Sequence, residues 1–562
     1  MRKFLATAAI ALAASSAYAD VKLPAIISDN MCLQANKPLP IWGKADPGES
    51  VTVTLGDETE NTSAGPDGNW KVMLHVLPEG AGPLEMKVAG KNTIEVKNII
   101  AGEVWVASGQ SNMEFQFANA HNVAEQAPKA NYPKIRIFNL QKKIAFEPQW
   151  DCVGKWEECT PETVMHTTAV GYFFSRDLHE KLGVPVGLIH TSWGGTPAQA
   201  WTSIEDLKAD PELAPLATQF EETRDHMAQA KEKYETKDLV AWEAADKKWK
   251  ETELPKFREE TKAWQAEAKA DQAAGKPVPP QPKPARLEPR KPSAPDNDPH
   301  LPTVLYNGMI APIIPFGIEG AIWYQGESNS GNPWQYRELF PAMINDWRTR
   351  WTAANPEEKD FGFYWVQLAN YMARQSEPVQ DDGGWPGLRE AQHLTLKLPN
   401  SGEAVIIDIG QADNIHPKDK MDVGKRLALA ALHTTYHKDG VYTGPTYQSL
   451  KVEGNKALLS FDNIGSGLTI AAAPSTQPGV PQGEPSSELK GFSIAGEDKK
   501  FVWANAAIEG DHVAVWSDQV KNPVAVRYAW GNNPECNLYN KEGLPASPFR
   551  TDTWHVETPV KK

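Results

Sequence analysis

At 562 residues the chain is longer than one ordinary domain, so we expect three or four. Its content of 41% hydrophobic and 23% charged residues is that of a soluble globular protein. The formal net charge of −15 argues against nucleic-acid binding, which needs a basic surface to neutralise phosphates. The same charge disfavours anionic membranes. The sequence leaves the oligomeric state open.

The first 19 residues have the features of a secretory signal. A basic start is followed by an apolar run and by the small-residue cleavage site Ala17–Ala19, which precedes Asp20. The apolar run is too short to span a bilayer permanently. We therefore expect a protein exported to the periplasm or the extracellular space, with no stable membrane insertion and with Asp20 as its first mature residue.

The remaining chain divides into regions of different pattern. Residues 20–100 show short apolar alternations broken by turns, which predict an N-terminal β-sandwich domain. In residues 101–436 strand-like and helix-like segments alternate, which is typical of a parallel sheet. That region is interrupted at about 205–300 by a charged helical and Pro-rich insertion. Residues 437–562 return to short strands. The predicted fold is α/β, a three-layer parallel-sheet domain between two β-sandwich domains.

Within residues 101–436 apolar runs mark the strands, and apolar residues at helical spacing mark the helices. The predicted strands are Val104–Ala107, Val186–Ile189, Ile318–Tyr324, Phe363–Leu368 and Ala404–Ile409. The predicted helices are Ala169–Leu182, which ends at Gly183, a segment around Tyr336–Trp351, and Val423–Tyr436.

Four polar segments follow strand-like runs. They are Gly109–Met113 with Ser111 at its centre, Ser192–Pro197, Gln325–Asn329 and Asp413–His416. Because parallel strands end at the same edge of a sheet, we expect these segments to converge there, where open α/β sheets place their ligands.

The residue types at that edge fit nucleophilic acyl transfer. An alcohol attacks poorly unless a base removes its proton, and the base must be oriented by a third group. Ser111 can act as the nucleophile and His416 as the base. Asp413 lies three residues before His416 on the same loop, close enough to orient the imidazole ring.

The negative charge that develops on the substrate oxygen needs preorganised donors. The candidates are the backbone N–H of Ser111, a backbone N–H in the pair Gly194 and Gly195, and the side-chain amide of Gln325. Glycine permits the close backbone approach that such a site requires.

Taken together, the blocks 109–113, 192–196, 323–329 and 413–416 resemble the sialate O-acetylesterases. These are serine esterases of the SGNH-hydrolase type, related to some acetylxylan esterases. The blocks 526–530, 536–540 and 548–550 look like the family's C-terminal β domain. The resemblance implies the same triad of Ser111, His416 and Asp413 and the same oxyanion donors.

The resemblance also implies removal of O-acetyl groups from sugars, above all sialic acids, through an acyl-enzyme on Ser111. No metal or organic cofactor is needed, and the partner is an O-acetylated carbohydrate. We assign the neighbouring polar and aromatic residues to substrate binding: Gln110, Asn112, Trp193, Glu327 and Asn329. Arg337, Arg389 and Arg527 are candidates for pairing with a sialate carboxylate.

Other readings of the sequence stay open. The same triad could serve acetylated xylan or another plant glycan. Twenty tryptophans and two flanking β domains would also suit a glycan-binding protein without turnover. A glycoside hydrolase would need two carboxylates roughly 5–10 Å apart, drawn from Glu327 or Glu114 with Asp408 or Asp413. Whether Cys152 and Cys159, the only close cysteine pair, form a disulfide is also open.

Overall fold

The computed structural model describes residues 20–282, 287–380, 384–471 and 486–554. The predicted signal segment, residues 1–19, lies outside these ranges. The fold is α/β, with a central mixed sheet and further antiparallel sheets near both ends of the described chain. The domain boundaries expected from the sequence stay predictions.

Five of the six N-terminal strands pair antiparallel in two groups, whereas the first, Cys32–Gln34, pairs parallel with residues 100–102. The six strands are β1 (Cys32–Gln34), β2 (Leu39–Lys44), β3 (Ser50–Leu55), β4 (Glu58–Ser63), β5 (Asn69–Leu74) and β6 (Leu84–Ala89). β2 pairs with β5, and β3 pairs with β4 and β6. β3 and β5 bury every second residue, as expected for strands with one face on a core.

A single long strand, β7 (Thr93–Gly109), connects these strands to the central sheet. The other central strands are β8 (Tyr132–Asn139), β9 (Trp156–Cys159), β10 (Val186–His190), β11 (Gly320–Tyr324), β12 (Gly362–Val366) and β13 (Ser401–Ala404). The order is β13-β12-β11-β7-β10-β8-β9. All neighbours are parallel except β9, which is antiparallel to β8. β7 pairs antiparallel with β6 through its first half, and its second half lies between β10 and β11.

The helices lie mainly in the central region. They are α1 (Ser111–Glu114), α2 (Val123–Gln126), α3 (Ala169–Leu182), α4 (Ile204–Ala209), α5 (Ala214–Asp225), α6 (Met227–Lys233), α7 (Leu239–Thr252), α8 (Leu254–Ala273), α9 (Pro333–Ala354), α10 (Gly384–Leu394) and α11 (Lys420–Thr434). α3 confirms the predicted helix, and it ends at Gly183 with φ +75°, the left-handed conformation that glycine adopts without steric cost. α9 contains the predicted helix around Tyr336–Trp351, and α11 overlaps the predicted helix Val423–Tyr436 but ends at Thr434.

One predicted strand is wrong. The run Ala404–Ile409 belongs to β13 only at its first residue. Beyond Ala404 the chain bonds to side chains instead of a neighbouring strand, since Arg426 donates to the carbonyl of Val405 and pairs with the carboxylate of Asp408. The apolar run therefore predicts correctly that this segment is buried, but it does not pair as a strand.

The C-terminal strands form antiparallel sheets around a core of their own. They are β14 (Thr446–Glu453), β15 (Lys456–Asp462), β16 (Leu468–Ile470), β17 (Phe492–Ala495), β18 (Val502–Trp503), β19 (Asn505–Glu509), β20 (His512–Trp516), β21 (Ala525–Tyr528), β22 (Leu538–Asn540) and β23 (Phe549–Arg550). Arg389 of α10 joins this region to the central one: it is 1% exposed and donates to the carbonyls of Gly531 and Asn532.

The open question about the cysteines has an answer in the structure. Cys152 and Cys159 are both buried, and both are free thiols, so they form no disulfide. The other two cysteines are free as well. Among the described helices, none is both long and apolar enough to cross a membrane.

Candidate active site

The four polar segments meet at the carboxyl edge of the central sheet. Three of them directly follow β7, β10 and β11, which are neighbours in the sheet. The fourth, with His416, lies in the loop between β13 and α11. Segments separated by up to about three hundred residues in the chain therefore lie in contact, as the sequence predicts.

The turn that carries Ser111 depends on a glycine. Gly109 ends β7 with φ +133°, and a Cβ added there would lie 2.3 Å from the carbonyl oxygen of Tyr324. The next N–H, that of Gln110, donates to the same oxygen at 3.0 Å. β7 is thus held tightly against the end of β11, and Ser111 follows as the first residue of α1.

Ser111 and His416 form the central contact of the site. Ser111 Oγ lies 2.8 Å from His416 Nε2. Partial burial, and secondly the positive charge of Lys420, lower the pKa of His416 below its ordinary value. The imidazole is therefore neutral at neutral pH, with a lone pair available to accept the serine proton.

The structure does not place Asp413 against His416. Asp413 is exposed, and its carboxylate makes no hydrogen bond or ion pair within the described part of the chain. The backbone N–H of His416 instead donates to Asn414 Oδ1 at 2.9 Å. His416 Nδ1 has no hydrogen-bond partner among the described residues. The role of Asp413 stays a prediction.

The candidate oxyanion donors differ in availability. The N–H of Ser111 has no acceptor among the described residues. Gly194 lies beside the nucleophile, since a Cβ on it would be 3.2 Å from the Cβ of Ser111, but its N–H donates to Glu114 Oε2 at 2.5 Å. Gly195 is exposed and has φ +80°. Which glycine serves as donor stays a prediction.

Gln325 is fully buried and both atoms of its amide are engaged. Its Nε2 donates to Asn329 Oδ1 at 2.6 Å and to the carbonyl of Thr196 at 3.3 Å, while its Oε1 accepts from the hydroxyl of Tyr336. Asn329 is also enclosed and accepts from the N–H of Ala198. In this conformation Gln325 joins the segments after β10 and β11 and does not point at open space.

A buried polar network lies behind the nucleophile. Asn112 donates to Glu327 Oε1 at 2.6 Å and to the carbonyl of Ile415 at 3.0 Å, and it accepts from Lys420 Nζ at 2.5 Å. Burial lowers the pKa of Lys420 to about 7, and burial raises the pKa of Glu327. Glu327 Oε2 has no hydrogen-bond partner among the described residues. Asn112 thus ties the nucleophile turn to the loop that carries His416.

The other predicted binding residues fall into two groups. Gln110 is buried and accepts from the N–H groups of Gly326 and Ser328, so it fixes the loop after β11. Trp193 is partly exposed, and the ammonium of Lys142 lies 5.3 Å from its ring centroid. Of the five residues assigned to substrate binding, Trp193 and Glu327 are partly exposed and the other three are buried.

The sequence did not indicate Lys420 as a site residue, and it did not indicate the hydrogen bonds that hold the side chain of Ser192. A neutral His190 accounts for them: Ser192 Oγ lies 2.5 Å from Nε2, and Nδ1 lies 3.1 Å from Asn139 Oδ1. Burial lowers the pKa of His190 to about 4, which keeps the ring neutral. The signal for Lys420 was weak, since a lysine in the first turn of a helix usually faces solvent.

Two of the four carboxylates named for a glycoside hydrolase, those of Asp408 and Glu114, are engaged within the protein. Asp408 is held by Arg426 and by the hydroxyl of Tyr539, and its side chain is 1% exposed. Glu114 is bound by Lys142 and by the N–H of Gly194. Within the described ranges, no group of three or more His, Cys, Asp and Glu side chains is arranged to hold a metal ion.

Comparison with known proteins gives consistent matches. The profile of the family described as carbohydrate esterase, sialic acid-specific acetylesterase, matches residues 101–270. The sialate O-acetylesterases of mouse and human are each 28% identical, over 92% and 93% of this chain and 91% of their own length. The crystal structure of a carbohydrate acetylesterase from Xanthomonas citri shares 34% identity and a TM-score of 0.73. It covers 95% of this chain and all of its own.

Proposed function

The chain belongs to the sialate O-acetylesterase family of carbohydrate esterases, and on that premise we propose that it releases acetate from O-acetylated sugars through an acyl-enzyme on Ser111. Membership makes it a carboxylic ester hydrolase that removes O-acetyl groups from sugars. The observation that carries the assignment of residues is the 2.8 Å contact between Ser111 Oγ and His416 Nε2.

The reaction needs two displacements at the acetyl carbonyl. Ser111 Oγ attacks the carbonyl carbon while His416 Nε2 takes the hydroxyl proton. The tetrahedral intermediate collapses, the ester bond to the sugar breaks, and His416 returns the proton to the sugar oxygen. Water then attacks the acetyl-serine with His416 again as base. Acetate leaves, and Ser111 Oγ regains its proton.

The negative charge of each tetrahedral intermediate falls close to the start of α1. The N–H of Ser111 is available there without rearrangement. The N–H of Gly194 becomes available when Glu114 turns toward Lys142, which already binds its other carboxylate oxygen at 2.6 Å. A donor positioned before the reaction is worth about a hundredfold or more in rate.

Sialic acids are the proposed sugars, because the mouse and human relatives are named sialate O-acetylesterases. A specific observation favours a neutral glycan such as acetylated xylan as the second candidate. The arginines nominated for a sialate carboxylate are all engaged within the protein: Arg337 with Glu390, Arg527 with Asp552, and Arg389 with backbone carbonyls. Lys142 beside Trp193 is engaged too, with Glu114 Oε1 at 2.6 Å, so a sialate carboxylate would have to compete with Glu114 for this cation.

The test is acetate release by the chain beginning at Asp20 and by its Ser111→Ala variant, offered 9-O-acetylated sialic acid, acetylated xylan and an aryl acetate. Ser449→Ala, an exposed serine on β14, is the matched control. We expect release from the sialate that depends on Ser111 and is unchanged in the control. Release by Ser111→Ala at the wild-type rate would refute the mechanism. Release from xylan and the aryl ester alone would move the substrate to plant glycans, and glycan binding without any release would leave a binding protein.

We also propose that the protein is exported and that its central unit, residues 101–436, is an SGNH-like hydrolase domain between two β-sandwich domains. The signal-like residues 1–19 support export, and the parallel order of the central sheet supports the domain type. N-terminal sequencing of the protein recovered outside the cytoplasm should begin at Asp20. Limited proteolysis should cut between the domains before it cuts within them; first cuts inside the central sheet would contradict this division.

A further inference from the structure

An open cleft of about 410 Å³ lies on the C-terminal region, where the chain passes from one sheet to another. β18 is the edge of the sheet β18-β17-β21-β23, and β19 is the edge of the sheet β14-β15-β20-β19. The single residue Ala504 joins these two edge strands. The volume lies in the range of sites that bind small ligands.

Two tryptophans and several polar side chains line this cleft: Trp503, Trp516, Asn505, Glu488, Lys490 and Glu535. Trp503 is 44% exposed, which is unusual for so large an apolar side chain. Asn505 lies directly opposite Trp516 in the antiparallel register of β19 and β20. An indole face and an amide are therefore presented side by side.

The polar groups of the cleft have free hydrogen-bonding capacity. The indole N–H groups of Trp503 and Trp516 and the side-chain amide of Asn505 make no hydrogen bond in the part of the chain that the structure describes. These groups could donate to hydroxyls while the indole faces pack against C–H groups. A sugar ring presents both kinds of surface.

The charges indicate which sugars fit. Lys490 Nζ is paired with Glu535 Oε1 at 2.7 Å. Lys456 Nζ lies 5.0 Å from the ring centroid of Trp516 and is paired with Glu509. Glu488 pairs with no cation among the described residues, so the cleft carries a net negative charge. A carboxylated sugar would be repelled, whereas the hydroxyls of an uncharged sugar could donate to these carboxylates.

We propose that this cleft is a second binding site, which holds an uncharged segment of a glycan chain on the indole faces of Trp503 and Trp516. The site lies outside the catalytic edge and contributes no reacting group. It would keep a polymeric substrate on the enzyme between successive acetyl releases, by adding a second attachment to the one at Ser111.

Binding can be measured apart from catalysis. The Ser111→Ala chain is examined by affinity electrophoresis and calorimetry with deacetylated xylan, deacetylated glucomannan and polysialic acid. Trp503→Ala and Asn505→Ala are added one at a time. Trp150→Ala is the matched control, because Trp150 is 37% exposed and lies outside the cleft. Aryl acetate and acetylated xylan turnover is then measured in the Trp503→Ala chain with Ser111 intact.

We expect the neutral polymers to be bound, with an association constant that falls about tenfold or more in Trp503→Ala and less in Asn505→Ala. Trp150→Ala should bind like its parent, and aryl acetate turnover should be unchanged in Trp503→Ala while the KM for acetylated xylan rises. Neutral polymers that do not bind, or that bind Trp503→Ala as well as its parent, would overturn the proposal, as would stronger binding of polysialic acid. If Ser111 proves inessential for turnover but the neutral polymers still bind at the cleft, the proposed function is refuted and the second binding site is not.

Discussion

Lys420 Nζ donates a 2.5 Å hydrogen bond to Oδ1 of Asn112, from which it is separated by 308 positions in the chain. The bond brings an ammonium group next to the nucleophile turn and near the imidazole of His416. Because Lys420 is buried, its charge is poorly screened by solvent, and it opposes protonation of His416. The charge of Lys420 therefore adds to the effect of burial, which is the larger cause of the lowered pKa of His416.

Lys420→Met should shift the acid limb of the kcat/KM profile to higher pH. On that limb the active form has a neutral His416, and the positive charge of Lys420 lowers the pKa of His416. Without the charge this pKa rises, and the acid limb moves with it. Lys418→Met, which removes an exposed lysine of the same loop, is the control and should leave the profile in place. An unmoved acid limb in Lys420→Met would show that burial alone sets the pKa.

Asp413→Asn tests the orienting carboxylate that the sequence predicts. His416 Nδ1 is unpaired in the described structure, so a carboxylate that swings in when substrate binds would hold the ring and stabilise the imidazolium. We expect kcat to fall about a hundredfold or more, with an unchanged melting temperature because Asp413 is exposed. Asp439→Asn, another exposed loop aspartate, should have no effect. A fall of less than about threefold would leave a Ser111–His416 dyad.

Gly194→Ala should impair catalysis without unfolding the protein. An added Cβ would lie 3.0 Å from Glu114 Oε2 and 3.2 Å from the Cβ of Ser111, so the nucleophile or the segment must shift. A displacement of well under 1 Å at the reacting atom costs about tenfold or more in kcat. Gly331→Ala is the matched control, because nothing lies within 4 Å of its added Cβ. Equal activity of the two variants would place Gly194 outside the catalytic geometry.

Glu103→Gln should change how stability depends on pH. Burial, and secondly the charge of Glu319, raise the pKa of Glu103 from 4.5 to about 7. Between these values the folded chain binds a proton that the unfolded chain has released, so stability is present below the window and is lost as pH rises through it. The glutamine variant lacks this loss. Its melting temperature relative to wild type should therefore rise by a few degrees between pH 5 and pH 8.

Glu259→Gln, on the exposed surface of α8, is the control for this measurement, and its melting temperature should follow wild type at every pH. Parallel curves for Glu103→Gln and wild type would mean that the hydrogen bonds from Tyr436 and Gln34 hold Glu103 ionised throughout the range.

The order of the central elements could be predicted because local signals and tertiary packing agree there. The apolar spacing of Ala169–Leu182 and the glycine after it predict the helix, and the left-handed Gly183 confirms its end. The segment after Ala404 shows the limit: its apolar residues are buried, but Arg426 and Asp408 decide its path. A pattern of apolar residues predicts that a segment is buried, but it does not predict which groups form hydrogen bonds with its backbone.

For the site, the sequence predicts which segments meet, and the structure adds how their side chains are satisfied. The parallel strands predict that the segments of Ser111 and His416 lie at the same edge of the sheet, and the structure adds the 2.8 Å contact between them. The commitment of Gln325 to Asn329 and Thr196, and the buried charge of Lys420, depend on distant segments that no local pattern reveals. The exposed position of Asp413 likewise depends on the conformation of its loop.

The division of β7 between two sheets has a consequence for the order in which a nascent chain can fold. The residues Thr93–Ile99 can pair with β6 as soon as they are synthesised, because their partner has already been made. The residues Val104–Gly109 must wait for β10 and then for β11, which is complete only at Tyr324. Until then this half of the strand is an unpaired apolar edge, a surface that invites aggregation. An early association of chaperones with the segment that precedes Ser111 would protect both the fold and the nucleophile.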